Sequence, residues 1–98
     1  MQFSYKIHRS GDDILLALAD ADIVGKKFSE KGLSVTISPE FYGKDRASET
    51  ELISAIESST IINAFGEKSI SLLAKNEMIQ KSDVVLVCGL PHAQIVRL

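Results

Sequence analysis

Three polar side chains with different hydrogen-bonding repertoires stand near the end of this chain: His92, Gln94 and Arg97, within Gly89-Leu90-Pro91-His92-Ala93-Gln94-Ile95-Val96-Arg97-Leu98. An imidazole can give or take a proton near neutral pH, an amide donates and accepts at once, and a guanidinium grips phosphate or carboxylate with two parallel bonds. Together they could read a polar ligand. Pro91 fixes one backbone angle beside them, which predicts a turn leading into a final strand. Strand alternation then puts His92, Gln94 and Val96 on one face and Ala93, Ile95 and Arg97 on the other. The expected site is therefore His92 with Gln94 beside the Pro91 turn. Arg97 joins them only through an irregular backbone, and on a regular strand it becomes a structural partner for Glu51, Glu57 or the terminal carboxylate.

Elements that would position this tail are legible in the hydrophobic pattern. Residues 2–8 alternate, with Phe3, Tyr5 and Ile7 on one face, and Ile14 to Ala19 is a continuous apolar run, so Arg9-Ser10-Gly11-Asp12 reads as the turn of an opening hairpin. Ile23 to Phe28 crosses back and Leu33 to Ile37 alternates again, giving a meander over the first 38 residues. Pro39 ends it, and Glu40-Phe41-Tyr42-Gly43 predicts a short turn or 3₁₀ piece. Ser48-Glu49-Thr50-Glu51 has the form of a capping box, which predicts a helix from Ser48 to about Ser58 with Leu52, Ala55 and Ile56 inward. A second helix is expected from Asn63, as its cap, to Asn76, on the spacing of Ile70, Leu73 and Ala74. Asp83 to Cys88 reads as a strand, with Ala93 to Leu98 returning beside it. The predicted fold is α+β: a two-layer sandwich of a mainly antiparallel sheet with two helices on one face.

Composition narrows the functional classes. The 98 residues are 45% hydrophobic and 24% charged, enough for one domain with its own core and far from the disordered class. A net charge of −2 with no basic tail argues against indiscriminate coating of nucleic acid, whose affinity comes from neutralised phosphates. A single cysteine excludes an internal disulfide and fits a reducing, cytoplasmic setting. The start of the chain lacks a basic segment followed by an apolar one, and no apolar run approaches a membrane span, so neither a signal peptide nor a membrane partner is expected.

Several constellations fail on their own chemistry. Gly66-Glu67-Lys68-Ser69 resembles the end of a phosphate-binding loop, yet it lacks the direct Gly-Lys-Ser/Thr run and has Ile61 where an earlier glycine is needed. Gly66 at a helix start with Lys68 nearby leaves a weak anion site open. Cys88 and His92, with His8, Asp12 or Asp13, supply too little sulfur for structural zinc, so no metal and no cofactor is expected. Val84 to Val87 predict a desolvated Cys88 thiol, a poor nucleophile. Asp12-Asp13 and Asp20-x-Asp22 lack the register of a calcium loop, and aspartates in turns bond locally to the backbone.

Pro91-His92-Ala93-Gln94-Ile95-Val96-Arg97 resembles the closing motif of a small archaeal family, the domain of unknown function 424. Ile23-Val24-Gly25-Lys26 with Phe28, Pro39-Glu40-Phe41-Tyr42-Gly43, and Ile61-Ile62-Asn63-Ala64-Phe65-Gly66-Glu67-Lys68 resemble that family in the same order. The resemblance implies a compact α+β domain in an archaeal cytoplasm with no assigned reaction, and a setting near translation. The positions it carries over are Gly25, Lys26, Phe41, Tyr42, Gly43, Asn63, Gly66, Pro91, His92, Gln94 and Arg97.

Three functions follow as expectations. The first is a binding module for RNA or a translation protein, using His92, Gln94, Arg97, Asn63, Gly66 and Lys26. The second is a small enzyme with His92 as general acid or base and Arg97 as an anion clamp, for which the sequence offers no convincing second catalytic group. The third is a protomer that pairs through its C-terminal edge strand, residues 93–98. The sequence does not set the oligomeric state.

Overall fold

A computed structural model describes residues 2–97. The opening hairpin forms as the pattern predicts: β1 (Phe3–Ser10) pairs antiparallel with β2 (Asp13–Asp20), from Phe3 opposite Asp20 to Ser10 opposite Asp13. The meander does not continue into the same sheet. After a 3₁₀ turn at Ala21–Ile23, β3 (Lys27–Glu30) and β4 (Leu33–Thr36) form a separate two-stranded sheet. Pro39 starts a short helix, α1 (Pro39–Tyr42), because its missing N–H is an orphan at that position and Ser38 Oγ accepts from the Phe41 N–H. β5 (Asp45–Ala47) then pairs with the outer edge of β1.

The Ser48 capping box is made in full: Ser48 Oγ accepts from the Glu51 N–H and Glu51 Oε1 accepts from the Ser48 N–H, opening α2 (Glu49–Ser58). The second helix is shorter than its pattern predicts. Ile61-Ile62-Asn63-Ala64-Phe65 is a strand, β6, and α3 runs only over Glu67–Lys75. Asn63 therefore caps nothing. Propensity missed this strand because β6 is wedged between β2, to which it runs parallel, and β8 (Leu90–Val96), so its environment favours an apolar run of either period. β7 (Val85–Val87) completes the order β5-β1-β2-β6-β8-β7, in which only the β2–β6 pair is parallel. The architecture is α+β with a mostly antiparallel sheet.

Two corrections concern the tail. The turn before β8 is Cys88-Gly89, both with positive φ (50° and 79°), so Cys88 is half-buried in a hairpin turn rather than buried in a strand. Pro91 lies inside β8, not in the turn. β8 has β6 along one side from His92 to Val96 and β7 on the other only at Leu90 to His92, so among the described residues Ala93 to Val96 keep one open strand edge. Leu98, the end of the predicted returning segment, lies outside the described residues, as does Met1.

Alternation sorts the sheet into two faces, each with its own cluster. Leu16, Leu18, Ile62, Ala64 and Ala93 pack under Leu52 and Ile56 of α2 and Leu72 and Leu73 of α3. Each such fully buried Leu or Ile contributes about 1.5–3 kcal/mol over an exposed one. The opposite face is covered in part: Ala17, Ala19 and Phe65 lie under Ile37, Tyr42 of α1 and the half-buried Phe28 and Val35 of the β3–β4 hairpin. That partial cover leaves one corner bare, and the candidate residues are at its margin.

Candidate functional site

Cross-strand register brings Asn63 and His92 into one neighbourhood that their distance in sequence conceals. On the face away from α2 and α3, three rows cross β2, β6 and β8: Leu15–Ile61–Val96, Ala17–Asn63–Gln94, and Ala19–Phe65–His92. Asn63 and Gln94 are directly opposed, which puts their Cβ atoms about 5 Å apart. His92 follows two positions along β8 on the same face. These three rows carry no charged side chain.

His92 is held at two points. Its Nδ1 lies 2.9 Å from the Ala64 carbonyl oxygen, and its ring tilts onto Phe65 with centroids 4.2 Å apart. A carbonyl only accepts, so Nδ1 carries the hydrogen and Nε2 of the neutral ring is left as an acceptor. Burial pushes the His92 pKa below its ordinary value, while the Ala64 bond pulls the other way. The neutral ring is thus the form this site favours.

Asn63 is fixed by a residue that sequence reasoning did not place in the site. Tyr42 Oη donates to Asn63 Oδ1 at 2.6 Å, and burial pushes the Tyr42 hydroxyl up to about 12, so it stays protonated at any physiological pH. Tyr42 takes one of the two lone pairs of Oδ1, which leaves the Asn63 amide its second lone pair and its Nδ2 hydrogens. Tyr42 also contacts Phe65 edge-on at 5.9 Å and Phe41 at 4.9 Å, and Phe41 stacks on His8 at 4.8 Å. An aromatic row His8–Phe41–Tyr42–Phe65–His92 therefore crosses the sheet. Its only sequence signal was the resemblance at Phe41-Tyr42-Gly43; the contact of α1 with β6 joins segments twenty-one residues apart in the chain and has no periodic trace.

The other expected site residues go elsewhere. Arg97 Nη1 donates to the carbonyls of Ile56 (2.8 Å), Ser59 (3.0 Å) and Glu57 (3.3 Å), on the helix face. It neutralises the orphan carbonyls at the C-terminus of α2, where a cation is also favoured by the macrodipole. Alternation gave it the correct face, but its partners among the described residues are backbone oxygens rather than the Glu51 or Glu57 carboxylates, and the terminal carboxylate lies outside the described residues. It stands apart from His92, so the two do not form the acid–base and anion-clamp pair of the enzyme reading.

Gly66 and Lys68 do bound an anion site, and the chain fills it. Asp20, 6% exposed at the end of β2, accepts from the Lys68 N–H (3.1 Å), the Ser69 N–H (2.8 Å) and the Ser69 hydroxyl (2.8 Å) at the start of α3. Gly66 has no side chain to cap the helix, and one would not fit: a Cβ there would lie 2.4 Å from the Asp20 carboxyl carbon, at a φ of +110°. Asp20 is a cap supplied from another strand, which the sequence reading took for a turn residue. Lys26 has an exposed side chain at the entry to β3, and its carbonyl accepts from the Ile37 N–H at 3.0 Å, which ties it to the layer over this sheet face.

A shallow cavity of about 430 Å³ on the helix side is lined by Phe3, Glu49, Lys68, Leu72 and their neighbours, and none of the four described cavities is lined by Asn63, His92 or Gln94. Among the described residues, no group of three or more His, Cys, Asp or Glu is placed to hold a metal ion. Among the described residues, no helix is long and apolar enough to cross a membrane.

A small α+β domain with fixed hydrogen-bonding side chains on an open sheet face is the class that fold and site define. The chain belongs to the family described as "Protein of unknown function (DUF424)", whose model matches residues 8–98. Its fold is similar to that of an uncharacterized conserved protein from the archaeon Methanopyrus kandleri, with a TM-score of 0.81 and 25% identity, covering 98% of this chain and 93% of that one. No curated protein matches.

Proposed function

We propose that this protein is a binding module for RNA, recognising its partner with Asn63, His92 and Gln94. The observation that carries this reading is their register: three uncharged hydrogen-bonding side chains on adjacent strands share one face, with two of them held by internal bonds. Pre-fixed groups lose little freedom on binding, which favours recognition. Catalysis would call for a second group beside His92, and Arg97, the partner expected for it, is bound to the carbonyls at the end of α2. Sequence-specific RNA recognition splays single-stranded bases onto flat protein surfaces, the geometry available here.

The test is affinity purification from native extract, with and without RNase, comparing wild type with a His92→Ala, Gln94→Ala double variant. RNA recovered by the wild type and lost with the variant supports the reading. Equal recovery by both proteins overturns it. A protein that co-purifies after RNase and depends on the same side chains replaces RNA with a protein partner, including a component of translation.

A further inference from the structure

We propose that the open edge of β8 docks a second copy of this chain, and that the pairing joins two open sheet faces into one surface. The main chain sets the geometry. The Arg97 N–H donates to the Thr60 carbonyl and the Gly66 N–H to the Pro91 carbonyl, one at each end of the β6–β8 ladder, so Ala93 and Ile95 are in phase with them and bond toward β6. Gln94 and Val96 alternate with these residues, and their N–H and C=O groups point away from β6. β7 ends its pairing at His92, which leaves those four groups without a strand partner. The 3₁₀ turn Lys81–Asp83 lies beside β8, yet among the described residues none of its main-chain groups bonds to the main chain of Gln94 or Val96.

The two edges of the six-stranded sheet are built differently. At the far edge, the stretch of β1 beyond its β5 pairing carries Lys6, His8 and Arg9, and β5 carries Asp45 and Arg46, charges of the kind that keep an edge from pairing. Ala93 to Val96 carry none, nor do Val85 to Val87, and Val85, Leu86 and Val96 are exposed at 54%, 74% and 61%. An acidic or basic segment finds no counter-charge on these strands, whereas an antiparallel copy meets no like charge across them. A two-fold axis at Ile95 sets Gln94 opposite the partner's Val96 and Val96 opposite the partner's Gln94, so all four outward groups of each copy are bonded. Opposed residues of an antiparallel pair point to the same side, so the two open faces look the same way. The row Asn63–Gln94 then continues into the partner's Val96 and the partner's Ile61, and a second copy completes the candidate surface. The pairing needs no RNA.

The experiment is sedimentation equilibrium of RNA-free protein from about 1 to about 500 μM, with amide hydrogen exchange read by NMR at both ends of that range. Wild type should rise from one protomer mass toward two. The Gln94 and Val96 amides should exchange fast in the dilute sample and at least about tenfold slower in the concentrated one, while Ala93 and Ile95, bonded to β6, are slow in both. Val96→Lys places a charge at an exposed position of the edge, and Val96→Pro removes an outward N–H without touching the β6 ladder; each should weaken dimerisation by about tenfold or more. Circular dichroism and the urea midpoint check that both variants fold, and the exchange pattern of the wild type decides the matter if neither does. Wild type that stays a monomer at every concentration overturns the pairing. A dimer whose Gln94 and Val96 amides stay fast, or one that a folded Val96→Lys variant forms equally well, overturns it too.

Discussion

On the helix face, Asp20 and Arg97 close the polar ends of two helices; on the opposite face, Asn63, His92 and Gln94 keep hydrogen-bonding groups pointed outward. Arg97 directly follows β8, which carries His92 and Gln94, and Asp20 ends β2, the strand beside the β6 that carries Asn63; the two sets face opposite sides of the sheet. Asp20 and Arg97 satisfy backbone groups that would otherwise be orphaned, so their chemistry is used up inside the fold. Among the described residues, Asn63 and His92 each bond internally through one polar atom, Oδ1 and Nδ1, and their other nitrogens make no internal bond. Polarity and placement near a motif therefore do not mark a binding residue. What marks it is a polar atom left over after the fold's own bonds are counted.

Breaking the first set should cost stability and nothing else. Asp20→Ala removes three hydrogen bonds to a buried carboxylate and should destabilise the protein by about 3 kcal/mol, read as a lower urea midpoint. Gly66→Ala forces a methyl group against that carboxylate at a positive φ and should cost about 2–3 kcal/mol in the same assay. Arg97→Ala frees the last carbonyls of α2 and should cost about 1–2 kcal/mol while leaving RNA recovery at its wild-type level. If Arg97→Ala lost the partner at a temperature where it remained folded, the division between the two faces would be wrong.

The second set should show the reverse. His92 is held below its ordinary pKa of 6.5 by burial, so the folded state binds its proton less readily than the unfolded chain. The stability this contributes is fully present above about pH 6.5 and is lost as pH falls through that value toward the folded pKa. Urea titrations across this window should show the wild type losing stability toward acid, and His92→Gln should remove that part of the slope. Gln94→Ala, at an exposed position, should change stability by no more than about 0.5 kcal/mol and still reduce partner recovery. This smallest structural effect with a clear binding effect is the sharpest form of the contrast.

Local pattern determined much of this protein. The opening hairpin, the Ser48–Glu51 capping box, the α2 face and the side of the sheet to which His92, Gln94 and Arg97 belong all follow from period and capping chemistry, which depend on neighbours a few residues apart. The family was legible for the same reason, from short motifs in a fixed order. Tertiary structure alone decided that Ile61 to Phe65 is a parallel-paired inner strand, that Tyr42 orients Asn63, and that Asp20 caps a helix beginning forty-seven residues later. Each of these joins segments whose separation along the chain leaves no periodic trace. An aspartate at a strand end or a tyrosine after a proline has the same local signal whether it meets solvent or a buried partner, and only packing selects which.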